Sequence, residues 1–99
     1  MTARIVIRHV ADCPGIGLLI ERLAGLNAED CMSFELIATP EDAARVAFYG
    51  SPTILIDGTD PFPIATTSPG LSCRLYRTEH GAEPAPSASQ LRKALTASP

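Results

Sequence analysis

The sequence predicts an α/β domain: a four-stranded mixed β-sheet, ordered β-α-β-α-β-β-α along the chain, with helices on both faces. Three observations predict it. β-Branched, apolar runs at residues 5–10 and 54–57 have strand composition. Ile16, Leu19, Ile20, Leu23 and Leu26 recur at three- and four-residue spacing, the stripe of a helix. Prolines at 14 and 40 stand where helices begin, because the first helical position has no N–H bond to lose.

In the first strand Ile5, Ile7 and His9 share one face, and Val6, Arg8 and Val10 the other. It stops at Ala11, and a helix opens at Pro14 with Asp12 or Cys13 as its cap. Asn27 ends that helix. Residues 33–38 read as a second strand. Thr39, Pro40, Glu41 and Asp42 then supply a cap, a first-turn proline and acidic residues for a second helix. This helix carries Ala43, Ala44, Val46, Ala47 and Phe48 and ends at Gly50.

Pro52 heads the next strand, which Asp57-Gly58 closes. Residues 59–71 hold three of the nine prolines and form a long loop, with Asp60-Pro61-Phe62-Pro63 ordering it around Phe62. Residues 72–78 read as a fourth strand, antiparallel to 54–57. Pro84 and Pro86 break the chain; Ser87 and Gln90 form a capping box for a last helix with Leu91, Ala94 and Leu95 inward. The first strand–helix–strand unit requires a parallel pair joined by a right-handed crossover.

At 99 residues the chain is sized for one domain. No apolar run approaches the ~20 residues of a membrane span. The run at Ile5-Val6-Ile7 is too short for a signal-peptide core. A net charge of −3, with no Lys/Arg stripe, argues against nucleic acid as a partner. Three cysteines, at 13, 31 and 73, are an odd number with no C-x-x-C pair. Neither a zinc knuckle nor a local dithiol motif can be read from them, no resident metal or cofactor is expected, and free thiols fit the cytoplasm.

Cys13 stands where the first helix begins, and there unpaired N–H groups and the helix dipole favour a thiolate. Asp12, an adjacent negative charge, works against it. Arg8 and His9 end the first strand close by; the cation would favour the thiolate and the imidazole would serve as a base. The plainer expectation has Arg8 reaching solvent and His9 packing as a half-buried ring. Cys73 opens the fourth strand, which on a hairpin geometry lies far from Pro52 and out of disulfide reach of Cys13, so a buried structural thiol is expected. Cys31 is read the same way. Arg77 and His80 are expected at the surface, at the edge where a groove would lie.

Asp12-Cys13-Pro14-Gly15 and Gly50-Ser51-Pro52-Thr53, the latter followed by Ile54-Leu55-Ile56-Asp57-Gly58, resemble two landmarks of the thioredoxin-fold superfamily. These are its redox cysteine at a strand–helix junction and its cis-proline loop. Together with Asp60-Pro61-Phe62 and Ser72-Cys73-Arg74-Leu75-Tyr76, they also resemble a group of small actinobacterial-type proteins labelled thioredoxin family or alkylmercury lyase-like.

The resemblance spans almost the whole chain. It implies a cis Pro52 packed beside Cys13. Ser51 would align a substrate strand through its backbone and donate a hydrogen bond to the thiolate. Cys13, Pro52 and Ser51 form the implied catalytic set, and Arg8, His9, Asp12 and Thr53 the binding residues around it. One departure matters: the family's second cysteine falls at Ile16. Chemistry at Cys13 is therefore monothiol, either exchange with a low-molecular-weight or protein thiol or capture of a soft metal such as mercury. Two rival functions are a non-catalytic binding module using the Pro52 edge and an alkylmercury lyase-like activity through Cys13, Asp12 and Cys73.

Overall fold

A computed structural model describes residues 4–28, 31–62 and 68–97. In order, the elements are β1 (Ile5–His9), α1 (Pro14–Ala24), β2 (Met32–Leu36), α2 (Pro40–Arg45), β3 (Thr53–Ile56), β4 (Tyr76–Thr78), β5 (Gly81–Glu83) and α3 (Ala88–Ala97). The chain is a mixed α/β structure with a three-stranded sheet, ordered β2-β1-β3, and a separate β4-β5 hairpin. β1 runs parallel to β2, with Ile7 opposite Phe34, and antiparallel to β3, with Ile7 opposite Ile54.

Strand alternation explains the core. Ile5 and Ile7 of β1 and Ile54 and Ile56 of β3 bury one face of the sheet against Leu19 and Leu23 of α1 and Leu91 of α3. Burying each such side chain contributes about 1.5–3 kcal/mol. A smaller cluster of Ile37, Ala43 and Phe48 forms around α2, with Val10 and Val46 against it. No helix among the described residues is long and apolar enough to cross a membrane.

The helix boundaries follow local chemistry. Pro14 is the first residue of α1 and Cys13 its N-cap. Asn27, at φ 58°, closes the far end, with the Ala28 amide bonded to Leu23 O and the Asn27 amide to Ala24 O. Thr39 caps α2 by accepting from the Asp42 amide, but α2 ends at Arg45, short of the expected Gly50. Ala47 turns to φ 54° and the Phe48 amide reaches back to Ala43 O, which swings Phe48 into the core. The Ser87–Gln90 box forms as expected: Ser87 N donates to Gln90 Oε1 at 2.9 Å, and Gln90 N to Ser87 Oγ at 3.2 Å.

The expected fourth strand is where the sheet departs from the sequence reading. Residues 72–78 do not pair with β3 as a hairpin. The outward amide of Ile56 is taken by Thr59 O just past the turn, and Ser51 pairs instead with Cys73 in a parallel bridge. The chain then folds on itself: a turn at Glu79-His80, followed by Gly81 at φ 104°, lets β4 pair with β5.

Candidate functional site

The end of β1, the first turn of α1 and the loop before β3 converge. Cys13 is the N-cap of α1 but its side chain makes no cap bond, and the residue is only 7 % exposed. The Ser51–Pro52 peptide is cis. Pro52 lies against α1: a Cβ placed on Gly15 would stand 3.0 Å from Pro52 Cδ and 2.4 Å from Pro84 O. The Val10 amide, at the end of β1, donates to Ser51 Oγ at 3.0 Å, which ties the sheet to the proline loop. Residues 13 and 52 thus share one corner of the molecule.

A buried platform supports this corner. The Tyr76 hydroxyl donates to Pro52 O. Burial pushes the Tyr76 phenol well above its usual range; Arg74 opposes that shift, and Asp60 and Cys13 add to it. Arg74, 4 % exposed, places its guanidinium carbon 4.4 Å from the Tyr76 ring centre. Its Nη1 donates to Asp60 at 2.7 Å and to Thr53 Oγ1 at 3.4 Å, and its Nη2 to Phe62 O at 2.7 Å. Thr53 in turn donates to Gly50 O at 2.6 Å. Phe62 meets Tyr76 edge to face, and its amide donates to Asp60, so Phe62 anchors the described start of this connection. Pro63, the last residue of the expected Asp60–Pro63 motif, lies outside the described residues.

The expected residues divide accordingly. Cys13, Ser51, Pro52 and Thr53 come together; Asp12, at φ 56°, is exposed beside them. Arg8 is committed elsewhere, at 2.7 Å from Glu35 and donating to Val46 O. His9 bonds the Val10 carbonyl and meets Phe34 edge to face, which is the plainer of the two expectations. Ser51 differs from its expected role in its main chain. Its hydroxyl accepts from Val10, its N–H donates to Ser72 O at 2.9 Å, and its C=O accepts from the Arg74 amide at 2.9 Å. An incoming strand therefore finds both main-chain groups already bonded.

Cys73 is the larger correction. It is exposed rather than buried, and it lies opposite Ser51 beside Pro52 rather than far from it. The 59–71 connection is long enough to bring the chain back in parallel, which a hairpin argument does not allow for. Cys31 is half-buried against the main core, and Arg77 and His80 are exposed. The sequence reading does not pick out Arg74 and Tyr76 as site residues. Positions 74, 76 and 78 bury while Leu75 stays 68 % exposed, an alternation that hydropathy does not show.

Among the described residues no three His, Cys, Asp or Glu side chains converge as a metal site. Comparison with protein-family models, curated proteins and solved structures finds no match to the chain.

Proposed function

We propose that the chain is a thioredoxin-fold monothiol protein in which Cys13 undergoes thiol–disulfide exchange. One observation carries the reading: an N-cap sulfur that makes no cap bond stands at the start of α1, whose first turn packs against Pro52. The chain order supports it, since a parallel β-α-β unit places Cys13 at its first strand–helix junction and Pro52 directly before β3.

The helix N-terminus stabilises negative charge on sulfur, and the thiolate is the nucleophile. It attacks one sulfur of a disulfide RS–SR′. The S–S bond breaks, a Cys13–SR bond forms, and R′S⁻ leaves to take a proton from water. With Ile16 three residues after Cys13, a second thiol within the motif is lacking, and a further small thiol releases Cys13.

The test is to incubate the folded protein with glutathione disulfide and map the adduct. One glutathione is expected on Cys13, formed faster than on the same residue in urea, and none there after Cys13→Ser. A folded Cys13 that reacts no faster than the unfolded one reduces the residue to a helix cap.

The placement of Cys73 favours a second reading, cleavage of organomercurials. Cys73 lies opposite Ser51, at the loop that packs on α1. In that chemistry both thiols bind mercury as thiolates and the carbon–mercury bond breaks; one thiol proton, relayed through the Asp12 carboxylate, goes to the carbon, the other goes to water, and mercury(II) stays on Cys13 and Cys73. Methane released from methylmercury above a protein-free control is the expected result; none ends this reading. A binding module that uses the Pro52 edge has less support, because the main-chain groups of Ser51 are already bonded.

A further inference from the structure

Extended polypeptides bind a sheet edge through unpaired main-chain N–H and C=O groups. At the proline loop that edge is Ser51, and the segment 72–74 of the same chain holds it. Ser51 N–H donates to Ser72 O and Ser51 C=O accepts from the Arg74 amide, both at 2.9 Å. The two backbones are in close contact: a Cβ on Gly50, which sits at φ 150°, would lie 2.7 Å from Arg74 Cβ. Nor is the segment a loose flap. Arg74 anchors it through Thr53, Asp60 and Phe62 O, and its guanidinium lies over Tyr76. Displacing it would strip the partners from both Ser51 groups and draw a buried guanidinium out of its bonds.

Resting on the thiol-exchange reading, we infer that the substrate class of Cys13 is small disulfides and that segment 72–74 excludes extended polypeptides from the site. Two independent features act in the same direction. The peptide-pairing edge is filled from within, and Cys13 is 7 % exposed, so what reaches its sulfur must be slender.

The test uses a Cys31→Ser/Cys73→Ser variant, which leaves Cys13 as the sole thiol. Two probes carry the same coloured leaving group, 5-thio-2-nitrobenzoate: one is its mixed disulfide with glutathione, the other with a ten-residue extended cysteine peptide. Release from the glutathione probe is expected to be at least tenfold faster. Equal or faster release from the peptide probe overturns the inference and leaves the thiol-exchange reading standing. If neither probe reacts faster than with the urea-unfolded chain, the reading itself fails and takes the inference with it. On the unsubstituted chain, the Ser51 and Arg74 amides should exchange with solvent slowly, before and after the peptide is added. Exchange of either at the rate of an open amide shows a free edge and overturns the inference.

Discussion

Arg74 donates to Asp60 at 2.7 Å from a side chain that is 3 % exposed, against 26 % for its partner. The asymmetry sets what each substitution does. Asp60→Asn leaves a buried guanidinium without its counter-charge and should lower stability by about 3 kcal/mol. Adding Arg74→Met removes the stranded charge, so the double variant should lose less than the sum of the two single changes. Urea unfolding midpoints of the four proteins measure this. Strict additivity would mean the pair is not coupled.

Tyr76→Phe tests the support beneath the proline loop. Without its hydroxyl the Pro52 carbonyl loses its donor, at a cost of about 2 kcal/mol. The phenol also shapes the alkaline limb of stability. Its folded-state value is raised, chiefly by burial, so its contribution is complete below the unfolded value near pH 10 and is lost as the pH rises beyond it. Stability measured from pH 9 upward should therefore fall less steeply in Tyr76→Phe than in the parent.

These two residues also show what the sequence could and could not disclose. The β-α-β start, the Pro14 and Pro40 helix openings and the Ser87–Gln90 box are set by local rules of capping and periodicity, whereas the corner shared by Cys13 and Pro52 is expected only from the resemblance of their two loops. The destination of residues 72–78 is set by long-range pairing. Hydropathy points Leu75 inward and Arg74 outward, and the structure reverses both. Arg74 can be buried only because Asp60, Thr53 and the Phe62 carbonyl, 12 to 21 residues away, meet its guanidinium. No local pattern announces that. The misplacement of Cys73 follows from the same error, because a hairpin was the nearest solution for two apolar runs joined by a loop.

Between β4, β5 and the start of α3, two carboxylates are held below their usual range. Glu79 is lowered first by the Ser87 hydroxyl, at 2.7 Å; Glu83 is lowered first by Arg22, at 2.9 Å, and then by Thr78. A depressed folded-state value gives stability that is present above the unfolded value, about 4.3, and is lost as the pH falls through the folded one. Stability should therefore decline in acid below that point, and Glu79→Gln with Glu83→Gln should flatten the decline. Ser87→Ala removes both the helix cap and the Glu79 contact and should cost about 1 kcal/mol at neutral pH. Thermal midpoints at pH 3, 4, 5 and 7 distinguish the two effects.

Gly15 and Gly17 stand two residues apart in α1 and should respond to alanine with opposite signs. Helix propensity alone favours alanine at both, by up to about 1 kcal/mol. At Gly17 nothing lies within 4 Å of the added carbon, so Gly17→Ala should stabilise the protein. At Gly15 the same carbon meets Pro84 O at 2.4 Å, a backbone atom that cannot swing aside, and Pro52 Cδ at 3.0 Å. Overpacking of this kind costs about 1–3 kcal/mol, enough to reverse the propensity gain. The strain also falls on the contact that keeps the first turn of α1 against the proline loop. Gly15→Ala should therefore slow the glutathione reaction at Cys13, and Gly17→Ala should leave it unchanged. Denaturation midpoints with adduct rates for both variants check this. A stabilised Gly15→Ala with unaltered reactivity would mean that helix and loop are not packed as closely as the Gly15–Pro52 approach requires.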